Sequence, residues 1–201
     1  MSAIHAKRNS IGVFCGSRAG TRPQYVKAAQ DLGATMARRG ANLVYGAGGS
    51  GIMGMVASAA RDNGALVTGV IPHQLLEQER RDKAVGQIFV VNSMHARKLL
   101  MYQLSGAFVI LPGGFGTFDE LMEVVTWNQL GFHSKPVVVV NVEGFFDPLL
   151  TMLDRMRDEG FAADNHRDIV QAASSPAAAL DALAVQPANR PAQVAEQRLA
   201  G

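Results

Sequence analysis

The sequence predicts an α/β fold, a doubly wound parallel sheet with helices on both faces. Two observations carry that expectation: short apolar, β-branched runs alternate with longer segments of helical spacing, and glycine-rich turns stand between run and helix. The runs are residues 11–15 (IGVFC), 42–45 (NLVY), 65–71 (ALVTGVI), 87–91 (QIFVV), 107–111 (AFVIL) and 136–140 (PVVVV). Without polar alternation they read as strands buried on both faces. Helical spacing covers residues 23–39, 51–63, 95–104, 118–130 and 146–158. Pro23 suits a first helical turn, and Gly40 the position just past a last one. Strand-helix alternation implies right-handed crossovers, and in such sheets ligands bind beyond the carboxyl ends of the strands where strand order reverses.

Residues 1–185 read as a single nucleotide-binding domain. Ser175-Pro176 opens one short Ala/Leu helix to about Leu183, and residues 186–201 lack apolar periodicity, so a flexible tail is expected there. The length of 201 residues and the 48% hydrophobic content allow one well-buried core. The net charge of +2 and the absence of a basic, aromatic-laced stretch speak against nucleic acid as a partner. Cys15 is the only cysteine, and the five histidines are scattered, so neither a disulfide nor a motif-level metal site is expected. The N-terminus lacks an apolar signal-like region and no run has membrane-span length, so a soluble cytoplasmic protein is expected.

Three turns follow strands and precede helices, and they converge on one sheet edge. They contain Gly16-Ser17, the Gly46-x-Gly48-x-x-Gly51 segment, and Gly113-Gly114-Phe115-Gly116-Thr117. The last suits a phosphate, because glycines let the backbone approach closely and a helix N-terminus offers free amides. A tight turn that needs glycine for its own geometry is the plainer alternative, although three such positions in four is more than a turn ordinarily requires. The second turn matches the dinucleotide fingerprint, but no carboxylate stands about 20 residues on, where a ribose would be held. A nicotinamide dinucleotide is therefore not expected, and no P-loop motif occurs.

Glu120 and Glu123 follow the third turn, three residues apart on one helix surface. Thr117-x-x-Glu120 also reads as a capping box, and on local pattern alone that reading stands level with a functional carboxylate. Arg97 and Lys98 open another helix, where cations oppose the macrodipole, so an anionic ligand or a carboxylate partner is expected beside them. His95 reads as a packing or hydrogen-bonding residue.

Taken together, VFCGS, YGAGGSGIMG, MHARK and PGGFGTFDE resemble the LONELY GUY family of cytokinin-activating phosphoribohydrolases, from about Ile11 to Leu183. The resemblance implies a Rossmann-like fold, a homodimer, and cleavage of an adenine-type nucleoside 5′-monophosphate to free base and ribose 5-phosphate. It places Arg97 and Glu120 at the catalytic pair, and Met94, Lys98, Gly113, Gly114, Gly116, Thr117, Asp119 and Thr126 at ligand-contacting positions. Ser17, Gly46 and Gly48 of the converging turns join the expected substrate-binding set, as does Glu123, a group able to protonate the leaving base. Ala47, Ala96 and Arg18 depart from the family pattern, and Arg18 and the polar stretch 77–83 bear on substrate preference. Family members are often labelled lysine decarboxylases. Only Lys98 among five lysines sits in a motif, without the surroundings of a pyridoxal phosphate site, so that label is set aside. No cofactor or metal is expected. General AMP nucleosidase activity, or a non-catalytic nucleotide-binding carrier of the same fold, are the alternative readings.

Overall fold

The computed structural model describes residues 9–76 and 84–185. The polar stretch 77–83 and the tail 186–201 lie outside the described residues. Seven parallel strands form one sheet: β1 (Ser10–Phe14), β2 (Asn42–Tyr45), β3 (Val67–Pro72), β4 (Gln87–Val91), β5 (Ala107–Ile110), β6 (Val137–Val140) and β7 (Val170–Ala173). Their order is β4-β3-β2-β1-β5-β6-β7. The chain builds outward from β1 to β4, crosses back, and continues from β5 on the other side. Strand order therefore reverses between β1 and β5, which pair in register from Ile11 with Ala107 to Phe14 with Ile110.

The helices are α1 (Pro23–Arg38), α2 (Gly51–Asp62), α3 (Met94–Leu104), α4 (Phe115–Gln129), α5 (Asp147–Asp158), α6 (Asp164–Arg167) and α7 (Pro176–Val185). Residues of α1, α2 and α7 share one buried cluster, among them Leu32, Val56 and Leu180, and residues of α3 and α4 share the other, among them Met101 and Leu121. A sheet covered on both faces needs apolar side chains pointing both ways, and β6, four consecutive valines all buried, shows it most plainly. Pro23 stands at the start of α1, and Gly40 follows its end with φ +71°, a left-handed conformation that glycine adopts without steric cost. None of the helices among the described residues is long and apolar enough to cross a membrane.

Three expectations are corrected. The run QIFVV is not buried on both faces: β4 is the sheet edge, and Phe89 and Val90 are exposed. A seventh strand, VQAA, completes the opposite edge; it is short and carries a glutamine and two alanines, so no β-branched run announces it. Helix α4 begins at Phe115 rather than near Phe118, which changes the reading of everything in its first turn.

Candidate active site

Two turns frame a cleft of about 530 Å³ at the point where strand order reverses. The Gly16 N–H donates to the Pro112 carbonyl (3.1 Å), tying the turn after β1 to the turn after β5. Ser17, Gly113, Gly114, Gly116 and Thr117 all line the cleft, and so do Arg97 and Glu120.

None of Gly113, Gly114 and Gly116 has a positive φ, so the backbone conformation does not require glycine at any of them. Gly113 is there for closeness, since a Cβ would collide with the Thr117 side chain and come within 2.8 Å of the Gly16 nitrogen. Around Gly114 and Gly116 there is nothing within 4 Å of an added Cβ. Neither turn geometry nor packing accounts for those two glycines, and the open space they leave is cleft. Gly114 is the residue before α4 and no side chain caps this terminus. The first amides of a helix have no intrahelical acceptor, so those of α4, which begins in the cleft lining, are chemically suited to an anion.

The fingerprint turn after β2 behaves differently. Its helix, α2, directs the N–H groups of Met53 and Ile52 to the carbonyls of Gly16 (3.1 Å) and Arg18 (3.5 Å), so its amides are taken up by protein. Gly51, at φ +59°, lets this happen, because a Cβ there would collide with the Ser17 carbonyl. The Gly48 N–H meets Met53 Sδ at 3.1 Å, and the Gly46 carbonyl accepts from Arg97. Gly46 and Gly48 therefore support the site from behind and do not line the cleft.

Thr117 and Glu120 both lie inside α4, which rules out the capping box: that motif needs Thr117 outside the helix. Glu120 is 6% exposed and Arg97 is 6% exposed. Arg97 donates from Nε to the Val70 carbonyl (3.2 Å) and from Nη2 to the Gly46 carbonyl (3.0 Å), while Nη1 stands 3.9 Å from Glu120 Oε1. The guanidinium is held by the carbonyls of Val70 within β3 and Gly46 just past β2, with a carboxylate beside it. Burial pushes Glu120 up to about 7, against the opposing pull of Arg97. Cys15 lines the same cleft, but burial, reinforced by Glu120, pushes its thiol far above the ordinary range, so it is no thiolate nucleophile.

Ser93 caps α3, its side chain accepting the Ala96 N–H (3.1 Å). The first-turn cations of α3 do have carboxylate partners. Lys98 lies 3.1 Å from both Asp119 and Glu123 on α4. Burial lowers the Lys98 ammonium, but hydrogen bonds to Glu123 and Asp119 outweigh it and hold the value above the usual one. That is the opposite of what a Schiff-base lysine needs. Asp119, Glu123 and Thr126 line a second, open depression with Phe118, Met122 and Trp127, apart from the cleft. Met94 is exposed with its Sδ 3.9 Å from Arg97, and His95 is exposed rather than packed. The 98% exposed Phe115 of the third turn also borders the cleft, as do Tyr25 and Phe145, which have no signal in the sequence.

The family described as "Possible lysine decarboxylase" matches residues 53–183. A cytokinin riboside 5′-monophosphate phosphoribohydrolase of Arabidopsis thaliana is 43% identical over 173 residues, covering 86% of this chain and 81% of the relative. One of Oryza sativa subsp. japonica is 47% identical over 160 residues, covering 80% and 66%. Among solved structures, the Moco carrier protein of Chlamydomonas reinhardtii superposes with a TM-score of 0.66 at 24% identity, covering 88% of this chain and 96% of that one. That likeness concerns the fold alone.

Proposed function

This chain belongs to the family that includes the cytokinin riboside 5′-monophosphate phosphoribohydrolases, and on that premise we propose that it hydrolyses the N-glycosidic bond of adenine-type nucleoside 5′-monophosphates, releasing the free base and ribose 5-phosphate. One observation carries the reading: a buried carboxylate, Glu120, shares a cleft with the open amide end of its own helix and makes no hydrogen bond to protein among the described residues.

The division of labour follows from the chemistry. Ribosyl-purine cleavage passes through an oxocarbenium-like centre, which an ionised carboxylate stabilises while taking a proton from the attacking water. With a pKa of about 7, Glu120 is poised for that exchange near neutrality. Arg97 stays protonated, so it orients Glu120 and stabilises charge on the departing base. The α4 amides hold the 5′-phosphate and lend its binding energy to the sugar's alignment. Glu123, paired with Lys98 outside the cleft, is poorly placed to protonate the base, and that proton comes from solvent or from Glu120 itself.

The working form in this reading is a homodimer. Phe89 and Val90 on the edge strand, Met94 and Leu99 on α3, and the apolar floor of the depression beside α4 offer surface for a second copy. Residues 1–185 act as one unit, and a reducing cytoplasmic setting agrees with the single, buried cysteine. Product analysis with AMP and prenylated AMP tests the reading. Free base and ribose 5-phosphate from at least one of them support it; no base from either removes it.

A further inference from the structure

The turn after β1 carries two cations, and they have different fates. Arg22 pairs with Glu143 at 3.7 Å. Arg18 lines the cleft, is exposed, and makes no ion pair or side-chain hydrogen bond among the described residues. Its backbone is nevertheless fixed. The Ile52 N–H donates to its carbonyl, the Met53 N–H to that of Gly16, and the Ser50 hydroxyl to that of Ser17 at 3.4 Å, while Gly51 packs against Ser17 and Arg18 too closely to admit a Cβ. A pinned stem thus carries an exposed guanidinium, unpaired among the described residues, at the lip of the cleft that holds the α4 amides.

We infer that Arg18 completes the phosphate site, closing on the substrate's 5′-phosphate from the side opposite the α4 amides. The inference rests on the proposed function and names one of that site's own binding residues. Amides alone hold an anion with partial charges; a guanidinium adds a full charge and a planar fork that fits two phosphate oxygens. The pinned backbone limits what Arg18 gives up on binding to side-chain rotamers. Arg97 cannot serve, because its Nε and Nη2 are engaged by the Val70 and Gly46 carbonyls deep behind the cleft.

Calorimetry on the full chain decides it, with AMP, ribose 5-phosphate, inorganic phosphate and adenine as probes and Arg18→Ala and Arg18→Lys as variants. Arg18 is at the surface, so both variants are expected to fold. Arg18→Ala should weaken AMP, ribose 5-phosphate and inorganic phosphate alike by about tenfold or more and leave adenine unchanged, the scale of a lost charge-assisted hydrogen bond. Arg18→Lys should recover part of that loss, because it keeps the charge and loses the fork. In turnover the defect should fall on KM. Wild-type affinity of Arg18→Ala for ribose 5-phosphate overturns the inference, and so does a loss shared by adenine, which marks a structural role. A wild-type protein that binds ribose 5-phosphate but releases no base from either AMP or prenylated AMP sinks the hydrolase reading and leaves the Arg18 comparison intact. One that binds none of the phosphorylated probes overturns both.

Discussion

Arg97 Nη1 lies 3.9 Å from Glu120 Oε1, and only 7% of either side chain is exposed. At that separation the charges attract without sharing a hydrogen bond. Arg97 is anchored elsewhere, on the Val70 and Gly46 carbonyls, so it steadies Glu120 without neutralising it. Burial therefore dominates, and the carboxyl titrates at about 7.

The first consequence concerns pH and activity. If ionised Glu120 does the chemistry, kcat/KM should rise with pH and level off above about 7. A profile already flat from pH 5 to 8 would remove the ionisation of Glu120 from the mechanism. The substrate phosphate also titrates near 6, so the profile of ribose 5-phosphate binding must be measured alongside.

The same shift has a sign for stability. A carboxyl raised from 4.5 to about 7 contributes its full share below 4.5, and that share is lost as pH rises through 7. The ionised form then lowers stability by on the order of 3 kcal/mol. Glu120→Gln has no such dependence, so its melting temperature should gain on the wild type between pH 5 and pH 8. A constant gap across that range would mean that Glu120 is far better solvated than its burial indicates.

Gly46 offers a way to disturb Arg97 by substituting a residue that does not itself line the cleft. Its φ is not positive, so alanine fits the backbone, but the new Cβ collides with Arg97 Nη2. Gly46→Ala should reduce kcat by about tenfold or more through the displaced guanidinium, while the inhibition constant of ribose 5-phosphate changes little. Equal losses in both would show that the turn supports the phosphate end as well.

Gly116 sets stability against binding. It occupies an early position of α4 with nothing near an added Cβ, so Gly116→Ala should raise the melting temperature, glycine being worse than alanine in a helix by about 1 kcal/mol. The methyl group should also narrow the space left for phosphate and weaken AMP. A variant that is more stable and binds AMP as tightly as wild type would place the phosphate elsewhere.

Much of this was legible in the sequence, for reasons that differ by residue. Five of the six apolar runs between helical segments announced the layers, since burial on both faces leaves no polar alternation, and the strand-end rule brought residues 113–117 to the cleft. Glu120 was legible as a residue but ambiguous in role. Capping box or cleft carboxylate turned on whether α4 starts at Phe115 or three residues later, and helix starts are the least determined feature of a sequence. Gly46 looked like a ligand residue because its pattern resembles a phosphate turn. Only three-dimensional contact shows that α2 spends its amides on Gly16 and Arg18. Tyr25 and Phe145 come from segments some 120 residues apart and meet at 5.8 Å beside the cleft, a proximity that no local pattern encodes.

The central claim is that Glu120 performs the hydrolysis, and the rate of adenine release from AMP by Glu120→Gln tests it most directly. The substitution keeps the shape, lies within the helix rather than at a cap, and removes only the charge. Adenine release should fall by roughly 10² or more, the scale of a lost acid-base group, while AMP affinity measured by calorimetry stays near that of the wild type. A folded Glu120→Gln protein that binds AMP and still releases adenine at close to the wild-type rate would contradict the account.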